Sequence, residues 1–341
     1  MIGFRVDGNQ TIGMGHYVRC AAIAGELSDH GEQVLFIIAS DADEKFIREQ
    51  NLSYHRLKNG GKNGWDAAEV CELIDQRDIT TLIVDTYRID QEDFRQLKKH
   101  CRTIYIDDLD TYECEADAII NFNPGAEEEK YGQGGKQGRR IYAGVRYYPL
   151  RKFFLLYRKE TLNKQVRRVL ITSGSTDPYQ CVKKIIHAIC PDDWLQIQFS
   201  LLEGAFFPEE YKTELRETVG KYRNVKPVPW RKNVADLLRN YDLVISSGSS
   251  TVLEALSMNV PCITYQFAEN HRQECAALQA EGMADWAGNI LDEQFAETVR
   301  RLFEVNLAFE EREKKAGKYL KQFDGKGLER IANCILAEKK T

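Results

Sequence analysis

The sequence predicts an α/β protein of two tandem domains, each built on a parallel sheet. Short β-branched runs alternate with helix-length segments along most of the chain, which is typical of repeated βαβ units. The chain has 341 residues, and at ~150 residues per domain this length suggests about two domains. Loops of small residues follow several strand-like runs, where open parallel sheets bind their ligands.

The predicted elements follow in chain order. The strands of the first half are predicted at Ile2–Val6, Gln33–Ile38, Thr81–Val84 and Thr103–Ile106. Those of the second half are predicted at Val169–Thr172, Ile197–Leu201, Val225–Val228, Leu243–Ser246 and Cys262–Tyr265. The helix-length segments are Val18–His30, Ala67–Arg77, Gln91–His100, Tyr179–Ile189, Glu209–Val219, Thr251–Met258, Asn270–Glu281 and Asp292–Val305.

The domain boundary is expected in the middle of the chain. Pro124–Arg140 is a polar stretch without periodicity, and parallel order resumes at Val169. We place the hinge between about residues 145 and 165, which gives domains at 1–150 and 151–325.

Charge and hydropathy exclude several classes of protein. The net charge is −5, divided as −8 over residues 1–150 and +3 over residues 151–341. This balance is unfavourable for binding nucleic acid, and the basic half is the better host for an anionic ligand. The longest apolar run, Val34–Ala39, is far shorter than the ~20 residues of a membrane span. Arg5 and Asp7 interrupt the first apolar stretch, so no signal peptide is expected.

The nine cysteines are scattered and include no C-x-x-C pair. This spacing argues against a disulfide framework and against structural zinc. We therefore expect a cytoplasmic enzyme without a metal or cofactor.

The loop after the first predicted strand delivers a histidine to a helix. Gly13-x-Gly15 resembles the start of a dinucleotide fingerprint, but the third glycine is replaced by Val18. The loop instead places His16 at a helix N-terminus, whose positive end favours the neutral, basic form of imidazole. A purely structural histidine fits the same pattern equally well.

Two loops of the second half are suited to binding phosphate. In Ser173–Pro178, Gly174 and Ser175 allow backbone N–H groups to approach an anion at a helix N-terminus. An ordinary capped turn is the alternative.

The second of these loops contains Ser249 and Ser250 and leads into Thr251-x-x-Glu254. This loop is a candidate phosphate cradle, and the Glu254 carboxylate can accept hydrogen bonds from two ribose hydroxyls. Thr251 and Glu254 also form a capping-box pattern, which requires no ligand. In a further loop, Asn270 is either a ligand contact or a helix N-cap.

Several motifs together resemble a known family. They are Phe4-Arg5-x-Asp7, Ile12-Gly13-Met14-Gly15-His16, Arg19-Cys20, Val84-Asp85-Thr86-Tyr87, Ile106-Asp107-Asp108-Leu109, Asn121-Phe122-Asn123, Ser173–Pro178 and Ser249-Ser250-Thr251-x-x-Glu254-Ala255. In this order they resemble the UDP-2,4-diacetamido-2,4,6-trideoxy-β-L-altropyranose hydrolases of pseudaminic acid biosynthesis. A spore-coat polysaccharide branch of that family is similar, and the later motifs are shared with MurG-like glycosyltransferases.

The resemblance implies a glycosyltransferase-B fold, with two Rossmann-like domains facing across a cleft. It also implies a C-terminal helix, within residues 326–341, that packs back toward the first domain. The implied partner is a UDP-sugar, held by the second domain with Glu254 and Asn270 at nucleotide-contacting positions.

The implied chemistry is attack of water on the anomeric carbon. The resemblance makes His16 the general base and places Tyr87 and Asp7 with it as catalytic residues. It places Gly13, Gly15 and Arg19 near the sugar. Two alternatives remain open, a glycosyltransferase that uses the same UDP site and a non-catalytic nucleotide-sugar-binding protein.

Overall fold

The structure is a computed structural model that describes residues 1–8, 14–42, 44–58, 65–109, 114–132, 139–231 and 233–337. The chain divides into two compact units. Unit 1 comprises Met1–Arg151 with Lys326–Thr341, and unit 2 comprises Lys152–Gly325.

Unit 1 contains a seven-stranded sheet in the order β3-β2-β1-β4-β5-β6-β7, in which all paired strands are parallel. Its strands are β1 (Ile2–Val6), β2 (Val34–Ile38), β3 (Tyr54–Arg56), β4 (Thr81–Asp85), β5 (Arg102–Ile106), β6 (Ala118–Asn121) and β7 (Arg140–Ala143). The chain order reverses between β1 and β4, so the carboxyl ends of these two strands form the topological switch point where such sheets bind ligands. The helices of this unit are α1 (Gly15–Asp29), α2 (Lys45–Glu49), α3 (Ala67–Gln76), α4 (Gln91–Leu97), α5 (Glu128–Gly132) and, from the end of the chain, α14 (Gly327–Ala337).

Unit 2 contains a six-stranded parallel sheet in the order β10-β9-β8-β11-β12-β13. Its strands are β8 (Arg168–Thr172), β9 (Gln198–Leu202), β10 (Val225–Val228), β11 (Leu243–Ser247), β12 (Cys262–Gln266) and β13 (Asp285–Asn289). Its switch point lies between β8 and β11. Its helices are α6 (Phe153–Leu156), α7 (Cys181–Ile189), α8 (Glu209–Val219), α9 (Ala235–Leu238), α10 (Ser250–Ser257), α11 (Glu269–Ala280), α12 (Phe295–Leu307) and α13 (Phe309–Gln322).

Each sheet is covered by apolar helices, as a parallel sheet requires. In unit 1, one face of the sheet packs against α1 and α14, with Ile23, Leu27, Ile331 and Ile335 in one buried cluster. In unit 2, the corresponding cluster joins the strands to α7, α8 and α12.

The stretch at 124–140 has a different role from the domain interruption that its composition suggested. It contains α5 and joins β6 to β7, which pair in parallel within the sheet of unit 1. Its described part is therefore a crossover inside one sheet.

Candidate active site

His16 lies in the first turn of α1, as the loop pattern predicts. It is only 4% exposed. Its Nδ1 is 2.7 Å from the Asp85 Oδ1 at the end of β4. Its ring also meets the Tyr87 ring edge-on, with centroids 4.8 Å apart. These contacts fix the orientation of the imidazole.

Asp85 is the buried centre of this group. Its carboxylate accepts a hydrogen bond from Arg19 Nε at 2.7 Å, a second one from the same guanidinium, and one from Cys20 Sγ at 3.2 Å. Burial alone would raise the pKa of Asp85, but the Arg19 charge and the hydrogen bonds from Arg19 and His16 hold it well below its ordinary value. Asp85 is therefore ionised, and a hydrogen-bonded carboxylate is what orients a basic histidine.

The tautomer of His16 follows from this geometry. Its Nδ1 and the Arg19 guanidinium approach the same Asp85 oxygen and lie 3.1 Å from each other. Because that oxygen is ionised, Nδ1 carries a proton in this contact, so the lone pair of the neutral imidazole is on Nε2. Nε2 forms no hydrogen bond with any residue in the described ranges. In the neutral ring, Nε2 can therefore accept a proton from a ligand or a water molecule.

Asp108, just beyond β5, joins Arg19 to Tyr87. Its Oδ2 accepts a hydrogen bond from Arg19 at 2.7 Å and one from the Tyr87 hydroxyl at 2.9 Å. Burial and the Asp108 charge raise the pKa of Tyr87, so this phenol remains protonated at neutral pH. The Tyr87 side chain is nevertheless half exposed, and its oxygen can accept a hydrogen bond from a ligand while its O–H donates to Asp108.

Asp7 lies just after β1 in a different set of contacts. Its carboxylate accepts hydrogen bonds from Arg5 Nη1, at 2.7 Å, and from the Thr86 hydroxyl, and it lies 3.7 Å from Arg88 Nε. None of these contacts reaches His16 or Tyr87.

Gly15 begins α1, with open space where a Cβ would lie. Gly13 lies outside the described residues.

In unit 2, the loop after β8 combines a glycine turn with a helix cap. Gly174 has φ +84°, and its N–H donates to Thr172 Oγ1 at 3.1 Å. Ser175 is exposed beside it. The Asp177 carboxylate accepts from the N–H groups of Cys181 and Val182 at the start of α7. The capped-turn interpretation is therefore correct for Asp177, while Gly174 and Ser175 are not used by the cap.

The loop after β11 does not form the capping box. The N-cap of α10 is Ser249, without a side-chain cap bond, and its Oγ donates to the Ser247 carbonyl at 3.2 Å. The helix begins at Ser250, so Thr251 is inside its first turn. Glu254 follows one turn later and is 8% exposed. The first N–H groups of this helix, which follows β11 directly, have no carbonyl partner within the helix.

The start of α11 lies against that loop. A Cβ on Gly248 would be 2.6 Å from Cys275 Sγ and 2.9 Å from the His271 carbonyl oxygen, so only glycine allows this approach. The N-cap of α11 is Ala268, and Asn270 is the second residue of the helix. The N-cap alternative for Asn270 is therefore wrong.

Four buried polar atoms on these loops and on α11 have no hydrogen-bond partner among the described residues. They are Ser173 Oγ, Gln266 Oε1, His271 Nδ1 and Glu274 Oε1. Burial lowers the pKa of His271 to about 4 and raises that of Glu274 to about 7. An unpaired buried polar atom costs ~1–3 kcal/mol, so these atoms are suited to a partner from outside the chain.

The described ranges contain no cluster of three or more His, Cys, Asp or Glu side chains arranged to hold a metal ion. Within the same ranges, no helix has both the length and the apolar character needed to cross a bilayer.

Three curated proteins are distant relatives of the chain. It is 25% identical over 283 residues to an uncharacterized protein of Methanocaldococcus jannaschii, covering 80% of this chain and 57% of that protein. It is 24% identical to the spore coat polysaccharide biosynthesis protein SpsG of Bacillus subtilis, covering 83% and 82%. It is also 24% identical to the UDP-2,4-diacetamido-2,4,6-trideoxy-beta-L-altropyranose hydrolase of Campylobacter jejuni, covering 83% and 94%. The chain thus spans little more than half the length of the archaeal relative.

Solved structures share the fold. MurG of Acinetobacter baumannii superposes with a TM-score of 0.67 at 11% identity, covering 98% of this chain and 99% of MurG. HepE of Anabaena, solved in complex with UDP, gives a TM-score of 0.64 at 15% identity, covering 98% and 99%. The predicted fold class, α/β with two Rossmann-like units of the glycosyltransferase-B type, is confirmed.

The family model described as the glycosyltransferase family 28 C-terminal domain matches residues 160–330. This match takes in the β8 and β11 loops, α10 and α11. By that match, the chain belongs to the glycosyltransferase family 28 C-terminal domain family.

Proposed function

We propose that this protein hydrolyses a UDP-sugar, with His16 as the general base. The observation that carries the proposal is the orientation of the His16 ring and the hydrogen bonding of its two nitrogens. Asp85 holds Nδ1 at 2.7 Å, and Nε2 forms no hydrogen bond within the described part of the chain. A histidine oriented in this way can take a proton from a water molecule, a contribution of ~10²–10⁴ in rate.

The bond changes are simple. The oxygen of water bonds to the anomeric carbon, the bond from that carbon to the β-phosphate oxygen breaks, and UDP leaves with the electron pair. The proton of water passes to His16 Nε2 and from there to solvent. Asp85 stabilises the imidazolium as it forms, because an ionised carboxylate lies on its other nitrogen. Tyr87 and Arg19 are proposed to contact the sugar, Tyr87 through its exposed ring and its hydroxyl oxygen, which can accept a hydrogen bond.

The nucleotide is proposed to bind unit 2. Gly174 and Ser175, with Ser249, Ser250 and Thr251 at the start of α10, would receive the diphosphate through N–H and hydroxyl groups. A helix N-terminus stabilises negative charge, and this charge grows on UDP as the bond breaks. Glu254 and Asn270 are assigned to the nucleoside and its ribose.

The sugar class is proposed from the relatives. The Campylobacter jejuni relative, matched over 94% of its length, is named for a UDP-2,4-diacetamido-trideoxy sugar, and the Bacillus subtilis relative is named for spore coat polysaccharide biosynthesis. We therefore propose a UDP-linked diacetamido-trideoxyhexose or a similar amino sugar, used in nonulosonic acid or surface polysaccharide synthesis.

Hydrolysis in ¹⁸O-labelled water tests the position of attack. The purified protein is incubated with a panel of UDP-diacetamido sugars, and both products are analysed by mass spectrometry. We expect the label in the released sugar and none in UDP. Label in UDP would mean attack at phosphorus and would remove His16 from the proposed role.

A glycosyltransferase is the second candidate, favoured by the family 28 match over residues 160–330. The same His16 can deprotonate an acceptor hydroxyl in place of water. Release of UDP that depends on an added acceptor alcohol, with negligible release in water alone, would identify a transferase.

A further inference from the structure

Unit 2 contains a basic cavity at the edge of its sheet opposite the candidate nucleotide loops. The cavity has a volume of about 880 Å³. Arg168, the first residue of β8, and Asp242, just before β11, both line it. Because parallel strands place all their amino ends on one edge, this cavity lies away from the loops that follow β8 and β11.

The charges of the lining are strongly unequal. Five cationic side chains face two acidic ones, Glu160 and Asp242. The cationic members are Lys159, Lys164, Arg167, Arg168 and Arg239. Asp242 is already engaged, because it accepts from the Arg167 and Arg168 N–H groups at 2.8 and 2.9 Å and from Asn163 Nδ2 at 2.6 Å.

Four of these cations, unlike Lys159, whose Nζ lies 3.8 Å from Asp242 Oδ1, form no ion pair with a carboxylate in the described ranges. They are Lys164, Arg167, Arg168 and Arg239, and Arg167 Nη2 instead donates to Gln165 Oε1 at 2.6 Å. The Arg239 guanidinium lies over the Tyr157 ring, 5.3 Å from its centroid, an arrangement that orients the group and leaves its N–H edge available.

One wall of the cavity is held in place by a buried arginine. Residues 159–167 form neither helix nor strand, yet fully buried Arg312 donates to the carbonyls of Asn163 and Lys164, each at 2.8 Å. Asn259 Nδ2 donates to the Lys159 carbonyl at 3.2 Å. Burial lowers the pKa of Arg312, because a guanidinium charge is less stable away from water. The wall is therefore preorganised, which lowers the entropy lost on binding a ligand.

We infer that this cavity binds a small molecule that carries a diphosphate, or two phosphates, at a site separate from the nucleotide loops. Its volume is within the range of ~300–1,000 Å³ for small-molecule sites. Guanidinium groups bind phosphate through two parallel hydrogen bonds, and Arg168 and Arg239 are the groups free to do so. This inference does not depend on the proposed hydrolysis.

The test uses inorganic pyrophosphate and the full-length protein. Calorimetry measures binding, and hydrogen-exchange mass spectrometry locates it. We expect new protection within residues 159–168 and 239–242. In the variant Arg168→Ala/Arg239→Ala, affinity at this site should fall by about tenfold per arginine, or about 1.4 kcal/mol each.

Two variants are the matched controls. Arg301→Ala removes an exposed arginine elsewhere in unit 2, and Glu254→Ala alters the nucleotide loops. Both should keep the protection at 159–168.

Three outcomes would overturn the inference. The first is that pyrophosphate protects only residues 173–178 and 247–254. The second is that the double variant binds pyrophosphate with unchanged affinity. The third is that citrate binds the protein as tightly as pyrophosphate does. Because Arg168 and Arg239 are exposed, the double variant should fold, and thermal unfolding without ligand verifies this.

Discussion

The substitution Asp85→Asn at the candidate active site should lower turnover strongly and folding stability only moderately. In the protein as it stands, ionised Asp85 accepts from His16 Nδ1 and keeps the lone pair on Nε2. An asparagine can instead present its amide N–H₂ to Nδ1, which would place the lone pair on the wrong nitrogen. We expect turnover to fall ~10²–10⁴-fold, the contribution of a well-placed general base.

The loss of stability should be smaller than for an isolated buried charge. Arg19 loses Asp85 but keeps Asp108 at 2.7 Å. The cost should therefore be about 1.5–3 kcal/mol, as for one hydrogen bond to a charged group. Leaving a buried charge with no partner would cost ~3–5 kcal/mol.

The assay measures UDP release at saturating UDP-sugar, at a temperature where urea unfolding shows the variant to be folded. Substrate affinity should change little, because the lost interaction acts mainly in the transition state. Asp7→Asn is the matched control, since Asp7 is equally buried and paired with Arg5 but does not contact His16. The Asp7→Asn variant should have a lower free energy of unfolding, while the turnover per folded molecule stays unchanged. Equal loss of turnover in both variants would refute the reasoning and would assign Asp7 to the catalytic group.

Three further predictions concern unit 2 and the last helix. Glu254→Ala should weaken UDP binding at least ~tenfold in calorimetry, because about one hydrogen bond to a charged group is lost. The midpoint of thermal unfolding without ligand should change by only a few degrees. If the variant mainly unfolds, Glu254 is a structural residue. Burial raises the pKa of Glu274 to about 7 from 4.5, so the folded state binds the extra proton and its stability should fall as pH rises through this window. Glu274→Gln should flatten that dependence in thermal melts at pH 5 to 8, and an unchanged slope would contradict the assignment. A Cβ on Gly327 would collide with the Tyr148 carbonyl oxygen. Gly327→Ala should therefore displace the start of α14 and destabilise unit 1 by ~1–3 kcal/mol, measured by urea unfolding. Gly317→Ala, which has open space at its Cβ, should not lower the stability.

The sequence predicted the central strands well and missed the less typical ones. Runs such as Ile2–Val6 and Val225–Val228 match their strands residue for residue. The missed strands are short or polar: β3 has three residues, β6 and β7 have four each, and β13 reads Asp-Trp-Ala-Gly-Asn. Such strands form because the neighbouring strand supplies their hydrogen bonds, and this tertiary effect leaves no local pattern.

Without the family resemblance, His16 is the one residue of the candidate active site that a local pattern predicted. His16 was identified because a glycine loop and a helix start lie beside it in the chain. Its partner Asp85 is 69 positions away, and the pairing of Val6 with Asp85 in the β1–β4 register brings the two strand ends together. Asp108 is brought to the same edge by the β4–β5 pairing. Register of this kind cannot be inferred from spacing along one chain.

The place of α14 has a consequence for how the protein is made. Leu328, Ile331, Ala332 and Ile335 belong to the buried cluster that also holds β1 and α1. Chains fold as they emerge from the ribosome, from the N-terminus onward. The strand β1 and the helix α1 are therefore synthesised before α14, which completes their core, and unit 2 is translated in between. A nascent chain stalled before residue 327 would expose the apolar face of α1 and would be a substrate for chaperones.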